Sequence, residues 1–141
     1  MITAYQIAII AAGVFFLNGL LTGVWKFRQI DKSPENKAHP YVDIAHRSSL
    51  LYSFAAILIA NFIEISQLPP AIEVAATLLL ISYFAIAITG YMIQGAAQKT
   101  DNQLRNMSRT IRWFMWSLVA AEIGGFLVLF YGVLVAIFNP S

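Results

Sequence analysis

Four long apolar stretches constrain this chain more than any other feature of its sequence. They cover residues 4–25, 46–66, 71–94 and 111–138. A helix needs ~20 mainly apolar residues to cross the hydrocarbon core of a bilayer, and each stretch is long enough. The first has no charged residue, and each of the others has only one or two. We therefore predict an all-α integral membrane protein, with residues 1–141 forming one domain built as a bundle of four transmembrane helices.

The amino-acid composition supports this class and excludes several others. Charged residues make up 11% of the chain and apolar residues 59%, whereas soluble domains average about 25% and about 45–50%. So little polar surface is incompatible with a water-soluble globule or a disordered segment. No basic cluster indicates a nucleic-acid partner, so the lipid bilayer is the expected surrounding. The chain has no cysteine, which excludes disulfides, thiolate metal sites and cysteine nucleophiles.

The distribution of Lys and Arg predicts an orientation in the membrane. All nine lie in or beside the connections 26–45 and 95–110, and none lies near the termini or the Pro69-Pro70 turn. Basic residues concentrate on the cytoplasmic side of membrane proteins. We therefore predict that connections 26–45 and 95–110 lie in the cytoplasm and that both termini face outward, which in a bacterial inner membrane is the periplasm.

His46 is the first candidate for a functional side chain, because ionisable groups at membrane depth are costly. It begins the second apolar stretch, and a neutral imidazole is a good ligand for haem iron or another metal. Alternatively, it is an interfacial side chain hydrogen-bonded to a carbonyl or to Asp43. The other histidine, His39, precedes Pro40 in the connection, and the spacing matches no zinc signature. One membrane histidine would leave the sixth position of a haem iron open, which favours substrate binding over electron transfer.

Three tyrosines and one glutamate are the other candidates. Tyr83 and Tyr91 are eight residues apart and share a face of the third helix. Like Tyr52, they could hydrogen-bond a substrate oxygen or act as acids, or they could be ordinary interfacial aromatic residues. Glu122 lies about halfway along the fourth helix. It is either a proton or cation site or a hydrogen-bonded link to Asn18 or Asn61.

The first helix also contains a pattern of small residues. Gly19 and Gly23 are four residues apart, a spacing that lets two helix backbones approach closely. The pattern predicts a tightly packed helix interface, and an oligomer interface is one candidate.

These residues resemble those of a known family, the bacterial styrene oxide isomerases. The resemblance covers roughly residues 15–105 and extends through a third helix that carries Tyr91. It rests on three short runs, which are Gly23-Val24-Trp25, Ser33-Pro34-Glu35 and Ala45-His46. Members of this family are small four-helix membrane proteins that bind haem b between the subunits of a trimer. Their ferric iron acts as a Lewis acid on an epoxide oxygen and drives a Meinwald rearrangement to a carbonyl compound.

The resemblance implies specific roles for residues of this chain. The axial histidine of the family matches His46, and its active-site tyrosine matches Tyr91. The positions of its active-site asparagine and aspartate hold Tyr52 and Tyr83 here. The resemblance thus implies a haem b cofactor ligated by His46, catalytic roles for the three tyrosines, a small apolar epoxide as substrate and a homotrimer.

Three functions stay open on the sequence. The first is the haem b-dependent isomerase. The second is a membrane haem protein without isomerase activity, such as a sensor or an electron carrier, which would share the His46 site. The third is a haem-free small transporter or an accessory subunit. Small four-helix transporters use a membrane carboxylate in the first helix, and this chain has its mid-membrane carboxylate at Glu122 instead.

Overall fold

A computed structural model describes residues 1–139 of the chain. It contains four long helices, which are α1 (Ala4–Lys32), α2 (Pro40–Ile65), α3 (Pro70–Ala97) and α4 (Arg109–Phe138), and no strand within that range. Each helix is long and apolar enough to cross a membrane. The predicted all-α class with four membrane-spanning helices is therefore confirmed. Residues 140 and 141 of the predicted domain lie outside the described residues.

The helices extend further than the apolar stretches that predicted them. α1 continues to Lys32 instead of ending at residue 25, and α2 begins at Pro40 instead of residue 46. α3 and α4 are longer by a few residues at the corresponding ends. Hydropathy marks where the hydrocarbon core ends, but a helix keeps its own hydrogen bonds and continues into the polar layer beyond it. As a result, His46 lies in the second turn of α2 and not at its start.

Local signals explain where the helices begin. Thr3 and Gln6 form a reciprocal capping box at the start of α1. α2 begins with Pro40 directly after His39, whose ring accepts a hydrogen bond from the backbone N–H of Tyr41. Proline fits the first position of a helix because its missing N–H would have no partner there. The side chain of Ser108 caps α4 by accepting from the N–H of Ile111.

α2 and α3 form the middle of the bundle. They pack against each other, and each also packs against both α1 and α4, whereas α1 and α4 do not touch within the described part of the chain. The buried positions hold many small residues, such as Ala8 and Ala56, while large side chains such as Leu51 and Ile123 are exposed. Small residues inside and large apolar residues outside are typical of helices packed in a bilayer.

The helices are arranged so that the Lys and Arg residues share one end of the bundle. At this basic end, Lys26 of α1 meets Asp43 of α2, and the connection between α3 and α4 contacts Tyr41. At the opposite end, Ser66 and Leu68 lie against Gly132 of α4. We call these two ends the basic end and the Pro-Pro end, after the turn at Pro69-Pro70.

Candidate functional site

His46 lies where α2 crosses α1, and the backbone of α1 holds its ring. The ring nitrogen Nδ1 is 2.8 Å from the carbonyl oxygen of Gly19. A carbonyl can only accept, so Nδ1 carries the proton and donates, which leaves Nε2 of the neutral ring with a lone pair. Nε2 makes no hydrogen bond within residues 1–139. The side chain is half-buried, and Nε2 is left without a hydrogen-bond partner from the described residues.

The two glycines of α1 make room for this contact. A Cβ on Gly23 would lie 3.0 Å from Cε1 and 3.1 Å from Nδ1 of His46, and one on Gly19 would lie 2.6 Å from Cδ2 of Leu50. The small-residue pattern therefore packs against α2 of the same chain. The sequence predicts a close helix interface at these glycines. In the structure, the imidazole of His46 is one of the groups that packs against them.

The α1–α2 interface is polar on both sides of His46, because Asn18 donates to Ser49 at 2.8 Å one turn toward the Pro-Pro end. The Asp43 carboxylate pairs with Lys26 at 2.7 Å and also with Arg47, so it is not the partner of His46. Two turns of α2 further on, the rings of Phe16 and Phe54 meet edge to face at 6.5 Å. Phe16 and Phe54 are 44% and 65% exposed, so this side of the α1–α2 pair faces lipid or another protein.

Tyr52, on another face of α2, and Tyr91 of α3 line the same cavity. The cavity has a volume of about 280 Å³ and is bounded mainly by α3 and α4, with the side chain of Gln103 from the connection between them. The Tyr52 ring stacks on Phe84 with centroids 4.2 Å apart, and the Tyr91 ring stacks on Tyr41 at 6.1 Å. These two tyrosines thus form one aromatic cluster that presents hydroxyl groups near a small, largely apolar space.

Glu122 belongs to the same cluster. Its carboxyl lies next to the Tyr52 hydroxyl and close enough to Tyr91 to interact with it electrostatically. Its Oε1 atom is buried and accepts no hydrogen bond from the described residues. The link to Asn18 or Asn61 considered from the sequence does not form. Asn18 donates to Ser49 at 2.8 Å, and Asn61 donates to a carbonyl of its own helix.

Tyr83 is adjacent to the cavity but does not line it. Its hydroxyl donates to Ser117 at 3.2 Å, and its ring stacks on Phe114, which does line the cavity. The structure therefore brings Tyr52 and Tyr91 together, places Tyr83 behind the cavity wall and leaves His46 at the α1 interface. His46 and Tyr52 are six residues apart and so point about 120° apart around α2.

Tyr41 is a residue of this region that the sequence analysis did not single out. It is buried, and its ring lies between those of His39 and Tyr91 at 6.0 and 6.1 Å. Its hydroxyl accepts a hydrogen bond of 2.7 Å from the backbone N–H of Gln103. One signal was present, because Tyr41 precedes Tyr52 by eleven residues, three helical turns, and so shares its face of α2.

Comparisons of the chain with protein-family models, curated proteins and solved structures find no match. The part of the chain that the structure describes contains no group of three or more His, Asp or Glu residues that could hold a metal ion. A haem differs from a bare ion because the porphyrin supplies four nitrogens and the protein needs to add only one or two ligands. His46, with Nδ1 hydrogen-bonded and no hydrogen bond to Nε2 from the described residues, has the donor set that one axial ligand requires.

Proposed function

We propose that the protein is a membrane haem b protein in which Nε2 of His46 is the axial iron ligand, and that it isomerises small apolar epoxides. The observation that carries the haem assignment is the hydrogen bond from Nδ1 of His46 to Gly19. Metal-bound histidines almost always donate their other ring N–H to a carbonyl or carboxylate, which fixes the tautomer and the orientation of the ring. The resemblance to the styrene oxide isomerases supports the same assignment.

The chemistry divides between the cofactor and the chain. When bound, the ferric iron supplies Lewis acidity toward an epoxide oxygen. Tyr91 and Tyr52 offer hydroxyl donors to the substrate oxygen, on which negative charge develops as the ring opens. The largely apolar cavity beside them suits a substrate that partitions from the bilayer. It also keeps water away from the opened epoxide, which favours rearrangement over hydration to a diol.

We further propose that the complete site forms between subunits of a homotrimer. His46 and the two tyrosines lie on different sides of α2, so one chain by itself does not surround a shared pocket. The His46 interface is bordered on its outer side by exposed apolar residues, including Leu20 and Phe54 at 52% and 65% exposure. A second subunit packed there would cover these apolar residues and help to enclose a haem held by His46.

We also propose the orientation that the positive-inside rule predicts. The basic end holds all nine Lys and Arg residues of the chain. Under the positive-inside rule, this asymmetry supports a cytoplasmic basic end and periplasmic termini in a bacterial inner membrane.

The first test is the absorption spectrum of the detergent-purified protein after titration with haem b. We expect a Soret band characteristic of ligated haem in the wild type and in His39→Ala, and its loss in His46→Ala. His39→Ala is the matched control, because it also removes a histidine but one that precedes α2 and caps it. A wild type without the band, or a His46→Ala variant that retains it, would contradict the haem assignment.

The second test separates the isomerase from the other haem proteins. The haem-loaded protein is incubated with styrene oxide, and formation of phenylacetaldehyde is followed. We expect turnover by the wild type and a reduced kcat with an unchanged Soret band in Tyr91→Phe. Haem binding without turnover of this or other small epoxides would favour a sensor or an electron carrier.

A further inference from the structure

We propose that a second cavity, at the start of α4, binds an anionic phospholipid such as a phosphatidylglycerol. Two arginines of α4, Arg109 and Arg112, hold the phosphate. Two tryptophans about one turn further along, Trp113 and Trp116, contact the glycerol backbone and the upper part of the acyl chains. This inference goes beyond the proposed function, because neither haem nor His46 takes part in it.

The four side chains lie on one face of α4. They occupy positions i, i+3, i+4 and i+7 of the helix, the spacing of a single helix face, and are Arg109, Arg112, Trp113 and Trp116. Together with Met107 from the preceding connection, they line a cavity of about 520 Å³. This volume is within the range of roughly 300–1,000 Å³ found for small-molecule sites. The cavity therefore has room for the phosphate and glycerol of a lipid.

The two arginines have no anionic partner in the part of the chain that the structure describes. The ion pairs within residues 1–139 involve other cations, which are Lys26, Lys37, Arg47 and Arg105. Neither Arg109 nor Arg112 donates a side-chain hydrogen bond within that range, and no acidic residue of that range lines the cavity. A guanidinium group binds phosphate through two parallel hydrogen bonds. Both arginines therefore keep these donors for a phosphate.

The tryptophans indicate that the phosphate belongs to a lipid. Trp113 and Trp116 are 72% and 66% exposed, so both rings face the surroundings of the bundle. Tryptophan concentrates at the headgroup level of a bilayer, where the glycerol of a phospholipid also lies. The same face of α4 continues with the exposed residues Ile123 and Leu127, which offer an apolar surface to an acyl chain. A free phosphate would leave all of this apolar surface without a contact.

The charge of the cavity selects among phospholipids. The arginines attract a phosphate, and they repel the ammonium group that a choline headgroup carries beside it. Basic residues next to a membrane helix favour anionic lipids in the same way. A lipid with a net negative charge should therefore bind better than phosphatidylcholine, although both contain the phosphate.

The test measures quenching of tryptophan fluorescence by brominated lipids, with the full-length protein in phosphatidylcholine bilayers. The protein carries Trp25→Phe, so that the two tryptophans of the cavity are the only ones. Brominated phosphatidylglycerol is compared with brominated phosphatidylcholine. We expect a relative affinity of roughly fivefold or more in favour of phosphatidylglycerol.

Two double variants locate the preference. Arg109→Gln combined with Arg112→Gln should bring the relative affinity close to one. Lys99→Gln combined with Arg105→Gln removes two exposed cations of the neighbouring connection that do not line the cavity, and it should keep the preference. Equal losses in both double variants would mean that diffuse charge at the basic end attracts the lipid, and would overturn the proposal.

The unsubstituted cavity decides the case even where a double variant fails to fold. Equal affinities for the two lipids would overturn the proposal, and so would a lack of quenching by either, because another protein surface would then cover the tryptophans. Native mass spectrometry of the natural chain should show bound phosphatidylglycerol that excess inorganic phosphate does not displace. Displacement would mean a site for free phosphate and would contradict a lipid site. None of these outcomes depends on haem, so they are distinct from failure of the proposed function.

Discussion

The imidazole of His46 donates from Nδ1 to the carbonyl oxygen of Gly19 over 2.8 Å, and this bond joins α2 to the backbone of α1. The hydroxyl of Thr22 donates mainly to the carbonyl of Asn18 at 2.7 Å and lies 3.1 Å from the carbonyl of Gly19. Because a backbone carbonyl has no donor state, the contact selects one tautomer of the neutral ring. The packing of two helices thus decides which nitrogen of the neutral His46 ring keeps its lone pair.

Replacing Gly23 with Val should destabilise the α1–α2 pair. The first carbon of the new side chain would lie 3.0 Å from the His46 ring, so the ring or the helix must shift. Overpacking of this kind costs about 1–3 kcal/mol. Thermal unfolding in detergent measures the loss, with Gly13→Val as the control because a Cβ there meets nothing within 4 Å. Equal melting temperatures for the two variants would show that His46 does not pack on Gly23.

Replacing Tyr41 with Phe should loosen the connection between α3 and α4. The change keeps the ring that stacks on Tyr91 and removes the hydroxyl that accepts from the N–H of Gln103 at 2.7 Å. A hydrogen bond of this type contributes about 0.5–1.5 kcal/mol. Hydrogen exchange should therefore become faster at the Gln103 amide, while Tyr5→Phe, a change at a partly exposed residue of α1, should leave it unaltered. An unchanged rate in Tyr41→Phe would contradict the anchoring role.

Two glycines of α4 should respond in opposite directions to substitution by Ala. A Cβ on Gly132 would collide with Ser66 and lie 2.7 Å from Leu68, whereas one on Gly124 would meet nothing within 4 Å. Gly132→Ala should therefore lower the melting temperature. Gly124→Ala should raise it slightly, because Ala is favoured over Gly in a helix by about 1 kcal/mol. Parallel melting curves test both, and destabilisation of equal size in the two variants would be inconsistent with this packing.

The proposed orientation can be tested by labelling, because the natural chain has no cysteine. Single cysteines are introduced as Gln67→Cys at the Pro-Pro end and as Glu35→Cys at the basic end, both at exposed positions. Intact spheroplasts are treated with a membrane-impermeant maleimide. We expect labelling of Gln67→Cys only, and labelling of Glu35→Cys only after lysis. The reverse pattern would mean that the basic end faces outward.

The sequence predicted the four helices but not where each of them ends. It also predicted close packing at the two glycines of α1 but not the residues that pack against them. The apolar stretches identified four helices, but Lys26 and Lys32 remain helical although they are polar, because a helix does not stop where the hydrocarbon core stops. Gly19 and Gly23 indicated close packing. Only the structure shows that this packing occurs against Leu50 and His46 of the same chain.

The amino-acid sequence by itself determined that this is an all-α chain with four helices suited to a membrane. The free energy of transferring a segment into a bilayer is a sum over the residues of that segment. Each membrane-spanning helix can therefore be recognised from its own residues. The tertiary structure decided which side chains meet. It turned His46 toward Gly19 and joined Tyr52 with Tyr91 and Glu122, residues of three different helices. These side-chain contacts depend on how each helix is rotated and shifted along its axis relative to its neighbours. Packing between the helices sets this arrangement, and no single segment of the sequence encodes it.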